Sequence, residues 1–459
     1  MALIDPTDTR PIHFVGIAGA GMSGLAELFV RRGAVVTGCD ANPSNTDDLQ
    51  RLGIHVTPHD PLHVDGARAI VVTSAMPKDH PELVRAHELG IPVIRRAEAL
   101  GEATAGCELV AIAGTHGKTT TTVMATAALT SAGRDPTGVV GGRVSIWGGN
   151  LRPGSDKLYV VEADEYDRSF LALSPTVAVV NNIEADHLDI YQDLADIKRT
   201  FAEFAKDART IVLCADDAGA NSMKTPSSTE VIRFGITSED ARVVAKDLRL
   251  ESTGSHFRVV YDEEDLGAVE LKIPGRHNVL NALAALSSGL ALGATVKAMA
   301  KGLADYSGVE RRFQLLGQMR GVVVIDDYAH NPAKVQAALE TARIAYPGRR
   351  VIAAFQPHLY SRTRDFAREF ATSLSTADDI FLTEIYPARE KPMDGVTSGL
   401  IIDALRSSGR DVSWRGERTT LADALANEVR DGDVVVTIGA GDITKTGPEL
   451  LKRLAETES

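Results

Sequence analysis

The sequence predicts an α/β protein of three domains built on mostly parallel sheets. Short apolar runs alternate with helical patterns along almost the whole chain, which is the βα organisation of a parallel sheet. Two glycine-rich turns, at residues 16–24 and 114–120, each follow an apolar run and open a helical pattern. The chain has 459 residues, and at about 150 per domain that leaves room for about three cores.

The first block, residues 1–106, opens with the strand pattern Ile12-His13-Phe14-Val15, a helix over 22–32 and a second strand over 34–37 that Asp40 closes. Gly16, Gly19, Gly21 and Gly24 punctuate the turn between them, with Ala18, Met22 and Ser23 in the same run. A Rossmann dinucleotide site is one reading. The middle glycine of G-x-G-x-x-G is Ala18, however, and the extra glycine falls one residue later. A plain tight turn, or a diphosphate such as that of a UDP-sugar resting on the helix N-terminus, fits equally well.

The second block, residues 107–313, opens with a nucleoside triphosphate cradle. The apolar run 108–113 leads into Gly114-Thr115-His116-Gly117-Lys118-Thr119-Thr120 and a helix over 119–133. Glycines let successive N–H groups face one point, where the positive end of the helix also falls. Lys118 would reach the terminal phosphates, and the Thr119 hydroxyl would ligate Mg2+. Only the second half of G-x-x-x-x-G-K-[ST] is present, since Ile112 stands where the first glycine would be. The alternative is a Gly-rich turn with an exposed lysine.

Further polar clusters end the apolar runs 157–161 and 176–180, where ligands of an open α/β sheet collect. Glu162 would face Thr119 and hold Mg2+, or belong to a solvated acidic loop with Asp164, Glu165 and Asp167. His187 reads as a surface or capping residue, or as a ligand for a divalent ion. Residues 231–274 look β-rich and irregular, and an apolar helix runs over 278–292. Asn278 would cap that helix or recognise adenine through its amide.

The third block, residues 314–459, returns to βα alternation. The segment 326–332, with Asp327 and His330, is a strand-ending turn or a contact for ribose and phosphate. The segment 356–364 holds His358, Arg362 and Arg364, whose guanidiniums would clamp a carboxylate; otherwise it is a basic helix start, which the helix dipole disfavours.

Composition narrows the setting. Hydrophobic residues make up 44%, no apolar run approaches the length that spans a bilayer, and residues 1–10 lack the apolar core of a signal peptide. A cytoplasmic protein is expected. Cys39, Cys107 and Cys214 are odd in number, widely separated and without metal spacing, which suits reduced thiols. A net charge of −13 argues against broad nucleic-acid or anionic-membrane binding.

Together, the segments 16–24, 114–120, 162–165, 186–187, 275–278, 311–313, 327–332, 356–358, 361–364 and 439–441 resemble the Mur ligases of bacterial peptidoglycan synthesis over nearly the whole chain. The resemblance implies an N-terminal Rossmann-like domain (1–106) for the UDP moiety and a central P-loop ATPase domain (107–313). A C-terminal Rossmann-like domain (314–459) would close over ATP and the amino acid. It implies a cytoplasmic ligase that joins L-alanine to the lactyl carboxylate of UDP-N-acetylmuramate through an acyl phosphate, using ATP and two Mg2+ ions. Its partners would be these small molecules, with no nucleic acid and no membrane insertion, and the chain would be a monomer or a dimer.

Carried over residue by residue, Gly16, Ala18, Gly19, Gly21, Met22, Ser23 and Asp40, with Ser74 nearby, resemble the uridine diphosphate site. Residues Gly114 to Thr120 would bind ATP, completed by Asn278, Arg312, Asp327 and His330. Thr119 and Glu162 would hold one Mg2+, and Glu162 with His187 the other; Lys118, Glu162 and His187 would carry the catalysis. His358 and Arg362 would bind the amino acid. Some relatives have arginine where this chain has Leu359, so the carboxylate would fall on Arg362, with Arg364. Sister ligases carbamylate a lysine in a helix comparable to that of Lys198. Two alternatives stand beside this expectation: a recycling ligase that adds a tripeptide to UDP-N-acetylmuramate, and an NAD-dependent dehydrogenase, which would leave residues 114–120 without a purpose.

Overall fold

The apolar runs become the strands of three sheets. A computed structural model describes residues 3–42, 46–73, 76–187, 190–251, 253–388 and 390–456. The chain divides into two units: one comprises Met1–Leu248, His256–Leu271 and Asn278–Val309, the other Arg249–Ser255, Lys272–His277 and Glu310–Ser459.

The first sheet is parallel, in the order Val56–Thr57, Val36–Cys39, Ile12–Val15, Ala69–Val72, Val93–Arg95. The chain enters at the centre, runs to one edge and then crosses to the other side. Strand order therefore reverses between Ile12–Val15 and Ala69–Val72, and a ligand crevice opens at such a point beyond the carboxyl ends. The glycine turn after Val15 lies there, followed by helix Ala20–Arg31, which buries Met22, Leu25, Leu28 and Phe29. Those positions recur at helical spacing on one face. The second strand runs to Cys39 rather than ending at residue 37, so Asp40 follows it directly.

Ten strands form the second sheet, with Glu108–Ala113 near its middle and Leu158–Glu162 and Val177–Val180 as parallel neighbours. Residues 231–274 are more regular than their sequence suggests, because they form the consecutive strands Glu230–Gly235, Val243–Glu251, Gly254–Tyr261 and Glu264–Leu271. Helix Lys118–Ser131 is buried along most of its length. Helix Val296–Ala304 lies so close to it that a Cβ on Gly302 would stand 2.2 Å from the Ala127 carbonyl oxygen.

In the other unit the six-stranded sheet is ordered Gln314–Met319, Val322–Asp327, Val434–Ile438, Val351–Phe355, Asp379–Thr383, Trp414–Gly416. The first two are antiparallel and the rest parallel. Alternation sorts Val323, Ile325, Ala353 and Phe355 into one core with Leu339, Phe370 and Ile401. Val322, Val324, Ile352 and Ala354 fall into another with Leu421, Leu425 and Leu450. Helices cover both faces, which is why these strands are continuously apolar.

Candidate active site

Strand Glu108–Ala113 gives way to a loop in which Gly114 has φ 144° and Gly117 has φ 76°, values that only glycine adopts freely. Space makes the same demand, since a Cβ on Gly117 would lie 2.4 Å from Asn281 Oδ1. Gly117 caps helix Lys118–Ser131, so the unpaired N–H groups of its first turn, which includes the buried Thr120, face the loop. The loop is fixed from the adjoining strand end. His116 N–H donates to Asn182 Oδ1 at 2.6 Å, Thr115 N–H to the Asn182 carbonyl at 3.1 Å, and Glu184 N–H to the Thr115 hydroxyl at 2.9 Å.

Register explains why carboxylates surround this loop. Ala113 pairs with Val180 and Ile112 with Glu162, so both neighbouring strands end level with it. Glu162 Oε2 accepts from the Thr119 hydroxyl at 2.9 Å and from Gly141 N–H at 2.8 Å. Hydroxyl and carboxylate oxygens are the donors a hard cation such as Mg2+ takes.

Lys118 Nζ donates to the Gly114 carbonyl at 2.8 Å and to Glu165 Oε2 at 2.5 Å. Burial alone would push this ammonium down, but the carboxylates of Glu165, Asp164 and Glu162 outweigh it and raise its pKa. Burial likewise pushes Glu165 up, and Lys118 with His187 outweighs it, holding the carboxyl at about 2. Both groups are therefore charged at neutral pH. His187 has φ 55°; its Nε2 lies 3.6 Å from Glu165 and its Nδ1 3.9 Å from Asp186. The carboxylate facing His187 is thus that of Glu165, which sequence reading did not place in the site although it stands in the same acidic run as Glu162.

Asn278 lies inside helix Arg276–Ala291 rather than capping it. Its Oδ1 accepts from Asn281 Nδ2 at 3.3 Å, and Asn281 Oδ1 accepts from the Thr121 hydroxyl at 3.1 Å. Asn281 therefore links Asn278 to the phosphate-loop helix, a role visible only once the helices pack.

At the first glycine turn, the N–H groups of Gly16 and Ile17 donate to the Cys39 carbonyl at 2.8 and 3.0 Å. Ala18 N–H donates to the Asp40 carboxylate at 3.0 Å, so Asp40 supports the loop. Gly19 caps helix Ala20–Arg31, Met22 is buried in it, and the Ser23 hydroxyl donates to the Ala20 carbonyl at 3.0 Å. A Cβ on Gly21 would stand 3.1 Å from Arg96 Nη1, which brings in a cation that sequence reading missed. Arg96 also lines a crevice with Glu162 and Asp164. Ser74 lies outside the described residues.

In the second unit, the Asp327 carboxylate accepts from Phe313 N–H at 2.8 Å and Ala329 N–H at 2.7 Å. Burial raises its pKa against the pull of Arg312. His330 Nδ1 lies 2.9 Å from the Tyr328 carbonyl; a carbonyl only accepts, so Nδ1 carries the proton. Burial, with Lys334 and Arg362 adding to it, holds this imidazole well below its usual range and therefore neutral. Arg311 and Arg312 lie over the Tyr328 ring, 4.8 and 5.2 Å from its centroid. The His330 and His358 rings are 6.1 Å apart, and Arg362 Nη1 lies 3.5 Å from His358 Nδ1. The fold thus gathers Arg312, Asp327, His330, His358 and Arg362 at the carboxyl ends of two strands.

Three successive family models match the chain: the Mur ligase family, catalytic domain over residues 11–107, the Mur ligase middle domain over 112–289, and the Mur ligase, glutamate ligase domain over 311–441. The chain is also 44% identical to the UDP-N-acetylmuramate–L-alanine ligase of Cutibacterium acnes, over 98% of this chain and 97% of that protein. The chain belongs to the Mur ligase family. Among solved structures, this Mur ligase is similar to the UDP-N-acetylmuramate–alanine ligase of Thermotoga maritima, with TM-score 0.82, 28% identity and coverage of 97% and 99% of the two chains. It shares its fold with a murein peptide ligase of Psychrobacter arcticus, with TM-score 0.71, 24% identity and coverage of 97% and 98%. Family membership overturns the dehydrogenase alternative: the glycine turn after Val15 belongs to a ligase, and residues 114–120 are accounted for. No helix among the described residues is long and apolar enough to cross a membrane.

Proposed function

We propose that this Mur ligase joins L-alanine to the lactyl carboxylate of UDP-N-acetylmuramate, converting ATP to ADP and phosphate, as a step of peptidoglycan precursor synthesis. The observation that carries the reading is full-length similarity at 44% identity to a ligase of that name. Its use of ATP and a UDP-linked substrate supports a cytoplasmic setting.

The phosphate loop, with the helix N-terminus behind it and Lys118 beside it, binds the triphosphate. Thr119 and Glu162 would hold a magnesium ion, and Glu162 with His187 a second, and such ions neutralise phosphate charge during transfer. Gly16 to Ser23 and Asp40 shape the seat for the uridine diphosphate, and Arg96 offers that substrate's anionic groups a partner. The lactyl carboxylate attacks the γ-phosphate and becomes an acyl phosphate. The alanine amine then attacks the acyl carbon, and inorganic phosphate leaves from the tetrahedral intermediate. Asn278, Arg312, Asp327 and His330 meet the nucleotide, and Arg362 with His358 binds the alanine carboxylate. Positioning and electrostatics carry the reaction.

The test is phosphate release by the purified chain. Release is expected only when Mg2+, ATP, UDP-N-acetylmuramate and L-alanine are all present. Equal release without the two co-substrates would identify a stand-alone ATPase instead.

A further inference from the structure

The first sheet carries a second cluster of chemistry that the ligase reaction does not use. His13 lies on strand Ile12–Val15 and Cys39 ends the neighbouring strand Val36–Cys39. Parallel register sets His13 opposite Thr37 and Val15 opposite Cys39, so His13 and Cys39 share one face of the sheet. Over that face fold the turn Pro61–Val64, bringing His63, and the helix Pro81–Leu89, bringing Glu82. One donor atom from each of His13, Cys39, His63 and Glu82 lies within 4.8 Å of every other.

We propose that these four side chains form a tetrahedral site for a borderline divalent transition metal, of which Zn2+ is the model. Zn–N and Zn–S bonds of about 2.0–2.3 Å imply ligand atoms roughly 3.3–3.8 Å apart, and several edges are already near that length. His13 Nε2 is 3.4 Å from Cys39 Sγ, Cys39 Sγ is 3.1 Å from Glu82, and His63 Nδ1 is 3.6 Å from Glu82 Oε1. The outward nitrogens are held as ligating histidines require: His13 Nδ1 lies 2.9 Å from the Thr37 hydroxyl and His63 Nε2 3.5 Å from that of Thr57.

Charge supplies an independent reason. Glu82 is wholly buried, and a buried carboxylate needs a cation. Its ion-pair neighbours among the described residues are imidazoles, His59, His63 and His80, with no lysine or arginine. His63 Nδ1 is a buried atom with no hydrogen-bond partner among them. A divalent ion balanced by one thiolate and one carboxylate would leave the site neutral and satisfy that nitrogen. Val15, Val64, Ile70 and Leu83 supply the apolar surround, and His59, which is only partly buried and lies 3.1 Å from Cys39 Sγ, opens the way in. The site is structural in placement: the Cys39 carbonyl receives the N–H groups of Gly16 and Ile17, so the metal anchors the strand end that carries the first glycine turn.

The test uses the full chain, stripped with a chelator and titrated with Co2+, whose bond to a thiolate gives a charge-transfer absorption that oxygen ligands do not. A single equivalent should produce that band, and Zn2+ should displace it and raise the thermal midpoint. Cys39→Ser, nearly isosteric and checked for folding by circular dichroism, should lose the band. His63→Gln should bind at least tenfold more weakly, and Cys107→Ser should behave as the parent. A folded parent chain that gives no band, or a band that survives in Cys39→Ser, would overturn the proposal.

Discussion

Lys118 is committed to a carboxylate before any nucleotide arrives, and that shapes what its removal does. Lys118→Ala takes a cation from the phosphates and also leaves Glu165 buried without its partner, so it is expected to cost about 3–5 kcal/mol of stability on top of turnover. Glu162→Ala removes an acceptor that is only half-buried and is the cleaner probe. It should lower kcat by about 10²–10³ while thermal unfolding changes little, and full activity of this variant would sink the metal assignment. Arg362 is argued from the substrate: alanine has almost no apolar surface, so its affinity rests on its charges, and a guanidinium fork matches a carboxylate as an ammonium does not. Arg362→Lys should raise the KM for alanine strongly and leave those for ATP and UDP-N-acetylmuramate nearly unchanged; a rise for ATP alone would assign this arginine to the phosphates. Cys214 gives a pH dependence. Burial pushes its thiol up from 9.0 to about 12, so the folded state holds the proton more tightly than the unfolded one. Its contribution is complete below pH 9 and is lost as pH rises from 9 toward about 12. Denaturant unfolding between those values should fall less steeply for Cys214→Ala than for the parent, by up to about 1.4 kcal/mol per pH unit, and identical slopes would refute the effect.

Register and close packing act at the scale of elements. The strands ending at Glu162 and Val180 flank Ala113 because they pair with Glu108–Ala113 in register, and a shift of one residue would turn their side chains to the other face. Helix Lys118–Ser131 is held at its far end by the approach of Gly302 to the Ala127 carbonyl. Gly302→Ala would force a methyl to within 2.2 Å of that oxygen, and the helices must part. The expected loss is about 1–3 kcal/mol, read as a lowered thermal midpoint, and an unchanged midpoint would show that the pair can slide apart freely. Leu359 marks another element boundary. It is buried with φ 71° at the N-terminus of helix Tyr360–Leu374, a conformation that costs a bulky residue energy. It sits between His358 and Arg362, the two residues proposed to hold alanine.

At the scale of the whole molecule, a net charge of −13 would have to coexist with the anionic substrates proposed, so their recognition would rest on local cations, for which Lys118, Arg96 and Arg362 are the candidates. Substrate choice is expected to favour L-alanine over the tripeptide by at least about 10² in kcat/KM, compared in parallel turnover assays; a preference for the tripeptide would identify the recycling ligase. The sequence by itself determined the α/β class, the phosphate loop and the family. Those follow from local rules: apolar runs that must be buried on both faces, glycines that alone tolerate the turns, and a lysine and threonine at fixed offsets from them. The sequence did not reveal the regular strands of 231–274, because polar and apolar residues mix along half-exposed strands such as Val243–Glu251. Nor did it reveal Asn281, Arg96 or the facing of His187 to Glu165. The cysteines have no metal spacing along the chain, yet Cys39 stands within 3.4 Å of His13 and 3.1 Å of Glu82. Only the tertiary structure decided these contacts, because packing separate elements on one sheet face brings together residues that no sequence interval relates.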